Sequence, residues 1–205
     1  MSWVLVGANG RPCQSATPGT LGGHRRTRIY GRLDCPSAAR ALARRGYVAH
    51  RVFFADEPAA VAAGYRPCSV CLPERYRAWR ALAVVAAMDA ARVGVGHARD
   101  PESSALAAAF VDAWTDRGGE VTAVVSWPDE AASWLRQARA LTAGAPDAWL
   151  IAGPIASLRR VCDRLSTSTD WDPARTVVLA TVEGMTVITG RADSLPQDRT
   201  DKEEG

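Results

Sequence analysis

Hydrophobic and polar positions change their period several times along these 205 residues, and each change marks a predicted element. SWVLVGANGRP reads as a short strand broken by an Asn-Gly turn, and TPGTLGG as a Gly- and Pro-rich loop with little structure of its own. If HRRTRIYGR is extended, alternation sends Arg26, Arg28 and Tyr30 to one face and Arg25, Thr27 and Ile29 to the other. Pro36, at a first-turn position after Cys35, opens a helix that SAARALARRG carries to a glycine stop at Gly46. YVAHRVFF has the β-branched and aromatic content of a strand, and ADEPAAVAAG is a short helix ended by Gly64. LPERYRAWRALAVVAAMDAAR then reads as a connecting helix of about five turns.

Beyond it the pattern becomes regular. RVGVG, EVTAVVSW and PDAWLIAG are strands, separated by the helices SSALAAAFVDAWTDRGG and PDEAASWLRQARALTAG. PIASLRRVCDRLSTS is a further helix, and TVVLATV and MTVITG pair near the end. Such alternation predicts βαβ units around a mostly parallel sheet. Trp114, Trp134 and Trp149 fall on separate elements as helix-sheet packing, and Cys162 reads as a small apolar residue of its helix. QDRTDKEEG is a polar tail with no reason to fold. The predicted organisation is a small α+β metal-binding domain over 1–76, a connecting helix over 77–91, an α/β domain over 92–190 and a disordered tail over 191–205.

Charge divides the chain at nearly the same place. Residues 1–81 carry 13 arginines against 4 acidic residues, a net charge of +9, whereas 82–205 carry 12 basic against 18 acidic residues, a net charge of −6. Arginine as the sole cation of a small basic domain is the footprint of phosphate contact, because guanidinium binds phosphate bidentately. Arg25, Arg26, Arg28 and Arg32 are the candidate nucleic-acid face, with Arg66 held beside Pro67; the plainer reading is a solvated edge strand. Tyr30 and Tyr65 suit either nucleotide stacking or a core that needs aromatic bulk. The opening residues have no basic region followed by a long apolar core, so the expected compartment is the cytoplasm.

In that compartment five cysteines, three of them within a 37-residue window, point to metal ligation more than to disulfides. Cys68 and Cys71 have the C-x2-C spacing that presents two thiolates from one turn, and Cys35 adds a third. The fourth donor of a tetrahedral Zn(II) site has several candidates: His24 first, then His50, Cys13, an Asp34 carboxylate or water.

IYGRLDCPSAARAL followed by RVFFADEPAAVAAGYRPCSVC resembles the zinc-binding domain of the Ada DNA repair protein family, over about residues 25–76. The resemblance implies a Zn(II) site on Cys35, Cys68 and Cys71 and a DNA partner. It also implies that the family's methyl-accepting first cysteine falls on Gly31, which has no sulfur. A structural zinc with DNA contact is therefore the leading expectation. A sacrificial zinc-thiolate alkyl acceptor and a zinc cap on a ligand-binding lobe are the alternatives.

The second half is similar in pattern to one lobe of a type 1 periplasmic-binding-protein fold, which implies a possible small ligand beyond the carboxyl ends of its strands. His97, Asp100 and Ser103 lie in one such loop. The segment lacks a G-x-G-x-x-G motif, a phosphate-binding loop, a Ser-His-Asp arrangement, a Pro-Cys-His-Arg stretch and a readable helix-turn-helix, so no catalytic residue is assigned.

Overall fold

The computed structural model describes residues 2–128, 130, 133–182 and 185–189. The chain forms two compact units, Met1–Trp79 and Arg80–Gly205.

The first unit opens with an antiparallel pair, β1 (Trp3–Val6) and β2 (Pro12–Ser15). The predicted Asn-Gly turn joins them: Gly10 has φ +73°, and the Asn9 carboxamide accepts from the Arg11 N–H at 3.0 Å. Next come β3 (Leu21–His24), β4 (Ile29–Arg32), β5 (Arg51–Phe54) and β6 (Arg66–Pro67), in a four-stranded sheet ordered β5-β3-β4-β6. β3 is antiparallel to both neighbours, and β4 runs parallel to β6.

Two expectations fail in this sheet for identifiable reasons. LGG belongs to a strand and not to a loop, because its glycines admit close neighbours. A Cβ on Gly23 would stand 2.7 Å from the Phe54 ring, which is fully buried in the sheet's core. The basic run is not continuously extended either. Residues 25–28 turn back on themselves, with the Arg28 N–H donating to the His24 carbonyl at 2.9 Å and Arg28 at φ +52°.

Helix α1 (Pro36–Ala43) starts where Pro36 predicts but stops short of Gly46, at Arg44 and a left-handed Arg45 (φ +55°). A 3-10 turn at Val48–His50 takes the first half of the predicted strand YVAHRVFF. Helix α2 (Glu57–Ala62) begins with the Asp56 carboxylate accepting from the Ala59 N–H at 2.9 Å and ends before Gly64 at φ +79°. Tyr30, Val52, Phe54, Ala60, Ala63 and Tyr65 form the core of this unit. Tyr30 and Tyr65 are thus packing residues.

Helix α3 (Pro73–Ala86) spans four turns, and the boundary between the units falls within it. The second unit contains β7 (Arg92–Ala98), α4 (Pro101–Thr115), β8 (Glu120–Trp127), α5 (Leu135–Thr142), β9 (Ala148–Pro154), α6 (Ile155–Ser168), β10 (Thr176–Val182) and β11 (Met185–Thr189). The sheet order is β11-β10-β9-β7-β8, with β8, β7, β9 and β10 parallel and β11 antiparallel to β10. The alternation of strands and helices therefore builds the mostly parallel sheet it predicts. Trp127, Ile151, Leu158, Leu165 and Val178 are buried at its centre.

All three helix-sheet tryptophans are buried, and Trp114 also donates its indole N–H to the Glu120 carbonyl at 3.0 Å. Cys162 is a core residue whose thiol burial pushes up to about 12, so it stays protonated. Helix α5 is shorter than PDEAASWLRQARALTAG suggests, and part of that stretch, like the whole 191–205 tail, lies outside the described residues. Among the described residues no helix is long and apolar enough to cross a membrane.

Candidate metal centre

Cys35 is delivered by the tight turn between β4 and α1, where its N–H donates to the Arg32 carbonyl. Cys68 and Cys71 come from the turn between β6 and α3, closed by the Leu72 N–H on the Cys68 carbonyl at 3.0 Å. β6 pairs with β4, placing Tyr30 opposite Pro67, so the strand register itself draws the two cysteine turns together. The three sulfurs lie within 4.8 Å of one another, Cys35 and Cys68 at 4.0 Å. A tetrahedral Zn(II) with ordinary Zn–S bonds needs sulfurs about 3.8 Å apart, so the donor set fits the ion in both chemistry and spacing. Among the described residues it is the one group of three or more Cys, His, Asp or Glu side chains with such convergence.

The turns also supply donors to sulfur. The Arg32 N–H points at Cys71 Sγ at 3.3 Å, and Cys68 accepts from the N–H groups of Val70 and Cys71. At Cys68 burial works against ionisation, but the Cys71 and Val70 N–H donors outweigh it and the thiol is held below its ordinary value. Burial pushes Cys71 up to about 12, and the neighbouring Cys35 and Cys68 sulfurs add to that. A divalent cation among the three sulfurs would favour their thiolate forms.

Gly31 sits against these sulfurs. A Cβ built there would lie 2.7 Å from Cys71 Sγ and 4.0 Å from Cys68 Sγ, so a side chain at this position would point into the sulfur cluster. Glycine gives this wall of the site no donor.

Of the other side chains considered as a fourth ligand, His24, His50, Cys13 and Asp34, none belongs to the convergent group. The Nδ1 of His24 accepts from the Thr27 N–H at 3.1 Å and lies 3.0 Å from the Thr27 hydroxyl. The ring stacks on Tyr47 at 5.1 Å and meets the edge of His50 at 5.4 Å. Burial, His50 and Arg26 together lower its pKa. Cys13 is exposed on β2, and the Asp34 carboxylate is occupied by the Arg32 guanidinium in two bonds of 2.9 and 2.5 Å. A cavity of about 250 Å³ adjoins the centre, bordered by Gly31, Cys35, Cys68, His24, Tyr47 and Arg51.

The five arginines expected to face phosphate have different surroundings. Arg25 and Arg26 are exposed on the β3–β4 turn. Arg28 donates to the Ala63 carbonyl at 3.0 Å and lies over the Tyr65 ring, and Arg32 is engaged by Asp34. Arg66 lies over the rings of Tyr76 and Trp79. Sequence reasoning passed over Arg40, Arg44 and Arg45, exposed at the end of α1; their clustering could have been read from the helical spacing of ARALARR. Among the described residues, no carboxylate pairs with Arg25, Arg26, Arg40, Arg44 or Arg45.

In the second unit, Asp100 caps α4 by accepting from the Ser103 N–H at 2.8 Å, and His97 Nδ1 lies 2.8 Å from the Ala98 carbonyl oxygen. The other carboxylate oxygen of Asp100 and the Ser103 hydroxyl are buried without a hydrogen-bond partner among the described residues.

Fold and site together define a small thiolate zinc module joined to an α/β unit. Residues 14–74 match the family model described as the metal binding domain of Ada. No curated protein matches the chain. Among solved structures, an ABC transporter substrate-binding protein from Sphaerobacter thermophilus aligns at 18% identity and a TM-score of 0.42, over 56% of this chain and 31% of that one. A structure described as a branched-chain amino acid ABC transporter from Silicibacter pomeroyi aligns at 14% identity with the same TM-score, over 56% of this chain and 30% of that one. The chain thus spans about a third of the length of either structure.

Proposed function

We propose that the first unit is a cytoplasmic zinc module that contacts the phosphate backbone of DNA without accepting methyl groups. Zinc, when bound, keeps three thiols ionised and cross-links the β4–α1 turn to the β6–α3 turn. The observation that carries the reading is the set of exposed guanidiniums without carboxylate partners among the described residues, Arg25 and Arg26 on one turn and Arg40, Arg44 and Arg45 on α1 and its end. Thr27 of that turn and Ala41 of α1 border the same cavity, so both basic clusters belong to neighbouring segments of one unit. The match to the metal binding domain of Ada supports DNA as the polyanion, and Gly31 at the sulfur cluster speaks against alkyl transfer to that position.

Five phosphate contacts would make log K fall against log salt with a slope near −4.5. Fluorescence anisotropy of a labelled duplex across a salt series should give such a slope, and Arg25→Ala with Arg26→Ala should reduce its magnitude by about 1.8. Absence of binding at the lowest salt, or a slope unchanged by the double substitution, would overturn the proposal.

A further inference from the structure

A Cβ built on Gly31 would reach Cys71 Sγ at 2.7 Å and Cys68 Sγ at 4.0 Å, yet glycine brings no donor, and Gly31 is one wall of the adjoining cavity. Its volume of about 250 Å³ is near the lower end for small-molecule pockets and far above the roughly 30 Å³ of one water. The walls combine apolar surface from Ala38, Ala41 and the Tyr47 ring with two guanidiniums, Arg51 and Arg32, of which Arg32 is already held by Asp34. Arg51 lies over the rings of Tyr47 and Phe53, and its Nε is buried without a hydrogen-bond partner. Arg51, with this unmatched N–H, and Gly31, at the sulfur cluster, line one cavity that a single small ligand can span.

We propose that the fourth donor of the zinc centre is external: a small thiol carrying a carboxylate, its sulfur completing the ligand set beside Gly31 and its carboxylate meeting Arg51. Zinc sites closed by soft donors favour thiolate. The apolar walls accept the short carbon chain between the two groups, and the Arg51 guanidinium offsets the charge of the carboxylate. Binding requires loss of the thiol proton to solvent and forms one sulfur–metal bond, with no oxidation or reduction. The proposal rests on the zinc assignment and is independent of DNA contact.

The test uses the full chain loaded with Co(II) in place of zinc, titrated with 3-mercaptopropionate. The near-ultraviolet sulfur-to-cobalt band scales with the number of thiolates, so it should rise saturably by about one third as three become four. Arg51→Ala should weaken the apparent affinity about tenfold while leaving the starting band intact. Gly31→Cys should show the larger band without added thiol and no response to it. A starting three-thiolate band that does not respond to the thiol would overturn the proposal. So would a wild-type spectrum that His24→Ala converts to a lower coordination number, since the chain would then supply its own fourth ligand. Absence of any sulfur-to-cobalt band would overturn the zinc assignment and this inference with it, whereas lost DNA binding with an intact thiol response would remove only the function proposed above.

Discussion

Metal removal should loosen the first unit selectively. Its main core cluster contains Tyr30, Val52, Phe54, Ala60, Ala63 and Tyr65, and a unit of this size holds on the order of 4–12 kcal/mol of folding free energy. Zinc ties Cys35 to Cys68, 33 residues apart. Treated as a chain cross-link, that closure removes about 4 kcal/mol of loop entropy from the unfolded state. Chelation therefore takes away between a third and the whole of the unit's stability, more if the thiols repel or are left unpaired. Hydrogen exchange read by mass spectrometry resolves the effect by peptide: after chelation, confirmed by elemental analysis, amides of β3, β4 and β5 should lose protection by up to about 1000-fold. Peptides from β9 and β10, in the other unit, should exchange as before. Undiminished protection of β3–β5 in metal-free protein would refute the reasoning, because the sheet register alone would then be sufficient to hold the two cysteine turns.

Ser157→Ala should cost about 1–3 kcal/mol in the second unit, read as a lower denaturant midpoint, because the fully buried Trp127 indole N–H loses its 2.8 Å acceptor. Tyr30→Phe should destabilise the first unit by about 1.5 kcal/mol, since the buried phenol donates to Glu57 at 2.6 Å and joins β4 to α2; an unchanged thermal midpoint would show that bond to be dispensable. Asp147 accepts from the N–H groups of Arg92 and Ala91 and from the Arg92 guanidinium, which hold its carboxyl below the ordinary range. A depressed folded pKa means that its contribution is present at neutral pH and lost as pH falls through the folded value. The thermal midpoint gap between wild type and Asp147→Asn should accordingly be full at pH 7 and close below about pH 4. A gap that stays constant across that range would remove the carboxylate from the account.

The alternating half was legible because period carries most of the information there: every described strand of the parallel sheet coincides with an apolar run between amphipathic helices. The three thiolates were legible from C-x2-C and the resemblance. What spacing could not supply was the geometry around them. LGG looks like a loop because glycine has no strand preference, and only the Phe54 ring explains why it must be small. HRRTR carries no Gly, Pro, Asn or Asp, so its reversal at a left-handed Arg28 was invisible. That His24 shares a cavity wall with Cys35 and Cys68, its Nδ1 held by the Thr27 N–H three residues along the same turn, also appears only in the fold. Arginines were counted correctly yet could not be sorted, since the partners of Arg28, Arg32 and Arg66 appear only when the chain is folded.

The order in which the cysteines occur also has a consequence for how the protein is made. Cys35 leaves the ribosome first and remains an unligated thiol until Cys71 follows it, 36 residues later, an interval of roughly 2–7 s at ordinary elongation rates. β6, which closes the small sheet, emerges just before it. The nascent chain therefore cannot seal this module hairpin by hairpin: its last strand and its last two sulfurs arrive almost together, and the supply of zinc at that moment sets when the first unit becomes complete.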